Sequence, residues 1–422
     1  MEKKYLKNSM WLLSEKLIRI LINFVAVIYL ANYLGPDLYG KVNYVYSIGM
    51  IIFTISSLGM DNVTTRECLY NKDNKNNLLF LSSVTRGMVF LAVSITYAVI
   101  FTDSSNVLVF LILFSYVYTF IIPYELYYAA IADSRYFSVI RSLSFIVSSA
   151  LKIIFSYYHK IELVALSFAL EGILYIILSS PKLVGSFKVK KLKNNMKDFF
   201  KVIKLSIPLF VVALILIFSS KIDQLMITHL LSYRDLGVYS VAISIASALC
   251  ILPNTFTNAF YGKILKTNTK DLICIIYRVN IILGICISIF SLFLMPYVLR
   301  HFFSPDYFQA ATVIQYLLLS NIFKSLGYAM NFIIIKESKQ KYSVVYYSLG
   351  LLLIFMLNFI FIPIYGIIGA SIISLIGQIF TNLIFPLLFR DNVINAEIKN
   401  IMVSFVKAPL YIIHDIKAIT KI

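Results

Sequence analysis

Ionisable side chains inside long apolar stretches are the residues of this sequence best placed to do chemistry. Arg19 lies nine residues into an apolar run that begins near residue 10, and Lys324 lies eleven residues from the end of a run at 308–335. At 1.5 Å per helical residue these offsets are about 14 and 17 Å. That is close to the middle of a hydrocarbon core about 30 Å thick. Lys221 and Asp223 sit in the outer part of a third run, 204–230. A charge at such depth is costly, so it faces a partner or a cavity. Two readings stay open: ion pairs that serve packing, or a cationic cavity of Arg19, Lys221 and Lys324 suited to an anionic substrate crossing the bilayer centre. Asp223 is then a candidate for an outer gate. Glu15 precedes Arg19 by four residues and can meet it on one helix face, which makes it a candidate for a cytoplasmic gate. Lys152 and Glu171 stand about 17 and 14 Å from the same edge of two successive runs, and matching depth predicts a structural ion pair.

Other chemistry lacks its residues. No GxxxxGK[ST] loop is present for nucleotide phosphates, and no HExxH for zinc. The histidines His159, His229, His301 and His414 are scattered, and Cys68, Cys250, Cys274 and Cys286 show no paired spacing. No disulfide, metal or other cofactor is expected. The connections on the outer side are short and leave no room for a catalytic loop, which ranks a membrane polymerase or ligase low.

The elements that must position these charges are set by composition. Of 422 residues 60% are hydrophobic and 14% charged, with 33 Phe and 30 Tyr, and the mean hydropathy is +0.84. An average soluble domain is about 25% charged. A soluble enzyme, a disordered chain and a secreted disulfide scaffold are excluded. Runs of about 20 apolar residues suit membrane-spanning helices. Twelve occur, near 10–34, 39–60, 82–101, 106–131, 138–158, 161–180, 204–230, 238–260, 276–299, 308–335, 343–363 and 366–389. The expected fold is an all-α polytopic membrane protein. Lys3, Lys4 and Lys7 before the first run imitate a signal peptide, but Glu15, Lys16 and Arg19 within it mark a span.

With the N-terminus inside, 29 of the 38 Lys and Arg fall at inner connections and four (Lys41, Lys160, Arg234 and Arg300) at outer ones. Basic residues concentrate in cytoplasmic loops. Both termini are therefore expected in the cytoplasm, and the net charge of +18 reads as topology rather than as nucleic-acid binding. The longest inner connection, about 181–203, is basic and divides the spans six and six. The predicted organisation is an N-terminal lobe over 1–195, a C-terminal lobe over 196–394 and an amphipathic cytoplasmic or interfacial tail over 395–422. In the tail Ile398, Ile401, Met402 and Phe405 recur at helical spacing, and Pro409 is expected to end the helix. At an offset of 197, Lys7 meets Lys204, Leu34 meets Leu231 and Gly40 meets Gly237, a faint trace of a parallel repeat.

Three motifs carry a resemblance. YLGPDLYG (Tyr33 to Gly40) follows the first run, GMDNVTTRE (Gly59 to Glu67) ends the second, and KIDQLMI (Lys221 to Ile227) lies in the seventh. Together they resemble the polysaccharide-transporter family of bacterial O-antigen flippases, within the multidrug/oligosaccharidyl-lipid/polysaccharide exporter superfamily. Residues 5–70 carry most of the likeness. The resemblance implies two six-helix lobes forming a V-shaped central cavity, and alternating access in the bacterial inner membrane. It implies export of an undecaprenyl-diphosphate-linked oligosaccharide from the cytoplasmic to the periplasmic leaflet. The partners expected are that lipid-linked oligosaccharide, membrane lipids and other polysaccharide-assembly proteins. Asp61, Arg66 and Glu67 of the second motif fall at the cytoplasmic mouth and join Glu15 as gate candidates. The second half has Leu231-Ser232-Tyr233 where the first has Leu34-Gly35-Pro36, so the turn is not repeated. The competing reading is a cation-coupled drug or metabolite exporter of the same superfamily. It would place acidic residues at its cavity, whereas the deep charges here are mostly basic.

Overall fold

The computed structural model describes residues 2–70, 74–101, 107–184, 192–260, 270–389 and 391–420. The basic residues at 185–191 and 261–269 that the topology reading uses lie outside them. Every regular element described is helical. Among the described residues nine helices are long and apolar enough to cross a membrane, or ten if Tyr233–Leu249 and Ile251–Asn258, bent by 42°, form one span. Large apolar side chains lie open on their surfaces, among them Phe293 at 79% and Val99 at 74% exposure. Such a surface suits lipid, not water.

Two of the nine, Glu15–Tyr70 with 56 residues and Gln340–Leu388 with 49, are far longer than the roughly 20 residues a crossing needs. Each is interrupted by a glycine: Gly35 has φ 71° and ψ 170°, Gly366 φ 60° and ψ −145°. Backbone in that region is essentially glycine's alone. Nothing lies within 4 Å of a Cβ built at either position, so the backbone, and not crowding, requires the glycine. Pro36 follows the first break, where a fixed φ and a missing N–H suit a new helix start. At the matching place in the second half, Ser232 is an extended N-cap whose Oγ accepts from the Asp235 N–H at 3.1 Å. The two halves therefore make this turn with different chemistry. The run at 106–131 is also less regular than its hydropathy predicts. It is built as Val107–Phe114, a 3₁₀ turn at Val117–Ile121 and Ile122–Ala130, with Pro123 near the start of the last piece.

Contacts divide the chain between Phe218 and Ser219 into two compact units. Unit 1 contains α1 (Glu2–Ser57), α2 (Met60–Tyr70), α3 (Lys75–Phe101), α4 (Val107–Phe114), α5 (Ile122–Ala130), α6 (Arg135–Tyr157), α7 (Ile161–Val184) and the start of α8 (Leu192–Leu230). Its core gathers Met60, Leu78, Tyr124, Phe137 and Val202. Helix α8 begins at Leu192, so the inner connection is shorter than the basic segment 181–203 suggests.

Unit 2 contains the end of α8, α9 (Tyr233–Leu249), α10 (Ile251–Ala259), α11 (Lys270–Phe302), α12 (Ala310–Lys336), α13 (Gln340–Ile379) and α14 (Asn392–Thr420). Helix α12 is its centre, with Val313, Ile314, Leu326, Ala329 and Met330 all buried. Pro409 does not end the tail helix, which continues to Thr420. Before that proline the helix is held by tertiary packing: Ile394, Ile398, Ile401 and Ala408 are buried in a cluster with Leu272, Ile276 and Tyr277 of α11. Tyr277 also donates to Glu397 at 2.8 Å.

Candidate functional site

The inward face of α6 carries Ser144, Ser148, Lys152 and Ser156, four residues apart and all buried. Small side chains at this spacing let neighbouring helices approach closely, and one long cation stands among them. Lys152 Nζ lies 3.1 Å from Glu171 Oε2 on α7 and 3.8 Å from the centroid of the Phe168 ring. Ser148 Oγ is 2.8 Å from the Ser167 carbonyl and 3.3 Å from Glu171 Oε2, which ties the two helices at this level. The other carboxylate oxygen, Glu171 Oε1, is 3.5 Å from Arg19 Nη2 on α1, and Arg19 Nη1 is 3.6 Å from Glu15 Oε1. The guanidinium lies 4.7 Å from the centroid of the Phe145 ring.

Two further pairs complete the set. Arg141 of α6 donates to Glu125 of α5 at 2.6 Å, and Tyr175 of α7 donates to the other oxygen of Glu125 at 2.9 Å. Arg86 of α3, only 1% exposed, pairs with Asp61 of α2. Its Nε reaches Thr119 Oγ1 at 3.3 Å, and that hydroxyl meets Ser56 at 3.1 Å. Arg66 is exposed and pairs with its neighbour Glu67 at 3.1 Å. The deep cations Arg19, Lys152, Arg141 and Arg86 thus meet Glu15, Glu171, Glu125 and Asp61 one for one. Among the described residues, unit 1 holds its buried charge in balance.

Unit 2 does not. Lys221 makes one long hydrogen bond, 3.4 Å to Gln224 Oε1. Lys324 is exposed on α12 and has no hydrogen bond or ion pair among the described residues. It lies within electrostatic range of Lys221, Asp223 and Cys250. Asp223 accepts from three neutral donors, Tyr239 Oη at 3.1 Å, Asn358 Nδ2 at 2.6 Å and Ser374 Oγ. Asn358 and Ser374 stand on either side of the Gly366 break, so the broken helix brings both to one carboxylate. No cluster of three or more His, Cys, Asp or Glu able to hold a metal occurs among the described residues.

The structure therefore gathers Glu15, Arg19, Lys152 and Glu171 in unit 1, and sets Lys221, Asp223 and Lys324 in unit 2. Sequence reasoning did not single out Arg86, Glu125 or Arg141. Glu125 is the lone charged residue in the run 106–131 and was legible on that ground. Arg86 and Arg141 were counted as inner-mouth charges because each stands near the start of its run.

These observations define a polytopic helical membrane protein with paired and unpaired charges inside its helices. The chain belongs to a family described as "Polysaccharide biosynthesis protein", whose model matches residues 5–261. Among curated proteins it is similar to the capsular polysaccharide biosynthesis protein CapF of Staphylococcus aureus. The two are 22% identical over 386 residues, which cover 88% of this chain and 96% of that one. Among solved structures its fold resembles the lipid II flippase MurJ in an inward closed conformation. That match has a TM-score of 0.73 and 16% identity, covering 97% of this chain and 93% of the other. It also resembles an inward-facing multidrug resistance MATE family transporter of the MOP superfamily. There the TM-score is 0.63 and the identity 12%, covering 94% and 96%.

Proposed function

We propose that this protein is a flippase for an undecaprenyl-diphosphate-linked oligosaccharide, the repeat unit of an O-antigen, a capsule or a related surface polysaccharide. It carries its substrate from the cytoplasmic to the periplasmic leaflet of the bacterial inner membrane by alternating access. In this reading the bent pair Tyr233–Leu249 and Ile251–Asn258 is one span and the breaks at Gly35 and Gly366 each divide a long helix in two, which makes twelve spans, six before the basic connection and six after, with both termini cytoplasmic. The reaction is transport, with no bond made or broken. The observation that carries the proposal is the set of ionisable side chains inside the spans of a polysaccharide-biosynthesis family member. A sugar chain is too polar to enter lipid unaided, and a diphosphate needs positive charge to offset its own. Arg19, Lys221 and Lys324 supply that charge; Glu15, Asp61, Arg66 and Glu67 act at the cytoplasmic gate and Asp223 at the outer one.

The test is complementation of a deletion strain, scored as surface polysaccharide against membrane abundance of the protein. Arg19→Gln and Lys324→Gln are expected to abolish or sharply reduce export at normal abundance. Arg19→Lys should retain more export than Arg19→Gln, although lysine cannot reproduce a bidentate phosphate contact. Normal export in both Gln variants at normal abundance removes the cationic site. A second reading, a cation-coupled drug or metabolite exporter, draws on Asp223, a deep carboxylate held by neutral donors. It requires that deletion leave surface polysaccharide intact and increase drug sensitivity.

A further inference from the structure

The buried cations of unit 1 are not held alike. Arg141 donates to Glu125 at 2.6 Å and Lys152 to Glu171 at 3.1 Å, both within hydrogen-bond range. Arg86 is closed in by Asp61 and Thr119. Arg19 differs: it stands 3.6 Å from Glu15 and 3.5 Å from Glu171. Among the described residues it donates a hydrogen bond to neither. Its planar group rests on the Phe145 ring instead. Its side chain is 25% exposed, as is that of Arg141 at 24% and unlike Lys152 at 6% and Arg86 at 1%, so among these four Arg19 alone is both reachable and without a carboxylate hydrogen bond. Arg19 is thus a reachable cation with unused donors, shared between two carboxylates that have other partners. Glu171 is kept by Lys152 and Ser148 when Arg19 leaves.

We propose that Glu15 and Glu171 are the resting counter-ions of Arg19 and act as specificity-determining residues. A phosphate-bearing ligand takes the guanidinium only by outcompeting two carboxylates. A diphosphate succeeds because it offers several oxygens to the planar fork of donors. A group with a single charge gains too little to displace both. The carboxylates therefore exclude ordinary anionic phospholipids, which surround the protein in excess. Lys152 stays with Glu171 throughout, so the exchange costs no unpaired buried lysine. This inference rests on the flippase reading for its ligand class, and it adds the residues that set selectivity at that site.

The experiment is anion binding by the purified full-length protein in detergent, read by calorimetry with inorganic pyrophosphate and inorganic phosphate as probes. Glu15→Gln leaves the Lys152–Glu171 pair in place and removes one competitor. It should bind pyrophosphate about tenfold more tightly than the unmodified protein, the equivalent of about 1.4 kcal/mol. It should also lose part of the preference for pyrophosphate over phosphate. The double variant Glu15→Gln/Arg19→Gln should lose the gain. Glu171→Gln is the second variant, with its melting temperature recorded because Lys152 is left unpaired. An unchanged or weaker pyrophosphate affinity in folded Glu15→Gln overturns the proposal. So does a gain that survives loss of Arg19, or the absence of pyrophosphate binding in every form. If pyrophosphate affinity ignores Glu15 while Arg19→Gln still blocks export, the counter-ion role fails and the transport reading stands. If the affinities behave as stated while deletion leaves surface polysaccharide unchanged, the counter-ion role stands and the transport reading fails.

Discussion

Asp61→Asn leaves the Arg86 guanidinium, 1% exposed, without its carboxylate. One of its nitrogens, Nη2, already lacks a partner in the structure. Breaking a buried pair from one side costs about 3–5 kcal/mol, whereas removing both charges costs far less. Asp61 is itself 40% exposed, which places the single variant near the low end, about 3 kcal/mol. Thermal unfolding in detergent should show Asp61→Asn well below the unmodified protein and Asp61→Asn/Arg86→Met partly restored. A single variant as stable as the parent would show that Asp61 does not hold Arg86 in place. At this scale the sequence was informative where depth could be counted along a helix. Lys152 and Glu171 fall at one level by that count and lie 3.1 Å apart. It was silent on Glu125 with Arg141 and Asp61 with Arg86, because those pairs join helices whose relative placement no spacing rule supplies.

Among the elements, both broken helices were legible: Gly35, where Gly-Pro punctuates the sequence, falls between the runs 10–34 and 39–60, and Gly366 falls at the boundary of the runs 343–363 and 366–389. Gly35→Ala and Gly366→Ala have room for the added methyl. Each should nonetheless destabilise by about 1–3 kcal/mol, because alanine cannot adopt this backbone region cheaply. Equal unfolding midpoints for parent and variants would mean that the breaks relax without cost. The start of α14 offers a test in pH. Lys339 donates to both oxygens of Asp391 at 2.6 and 2.7 Å, and Asp391 Oδ1 accepts the Val393 and Ile394 N–H groups. These bonds, the lysine's foremost, hold the Asp391 carboxyl below its ordinary value. A lowered carboxyl stabilises the folded state fully above its unfolded value, about 3.9. That stabilisation fades as the pH falls through the lowered one. Hydrogen exchange at the first turn of α14 should therefore be constant from neutral pH down to about 4 and faster below it, after correction for intrinsic rates. Asp391→Asn should abolish that step.

For the molecule as a whole, hydropathy carries the helical architecture, because lipid imposes helices on any chain of long apolar runs that crosses it. The irregular pieces within 106–131 and the passage of α14 through Pro409 escaped that reading. The orientation itself is testable from outside. Lys191→Cys, beyond the described residues but within the basic connection, should react with an impermeant thiol reagent only after the membrane is opened. Labelling in intact cells would reverse the assigned sidedness.

The Lys152–Glu171 contact also has a consequence for how the chain is made. Helices α6 and α7 are joined by a tight turn at residues 158–160, and each carries one member of the pair within its span. A lone lysine at the centre of a spanning helix costs about 2.5–3.5 kcal/mol during insertion, and a carboxylate a similar amount. Paired at 3.1 Å, each charge removes much of the other's penalty. Synthesis therefore favours release of α6 and α7 into the bilayer together, as a hairpin whose polar seam has closed before lipid reaches it. A ribosome stalled after α6 alone would leave that helix poorly inserted until Glu171 emerges.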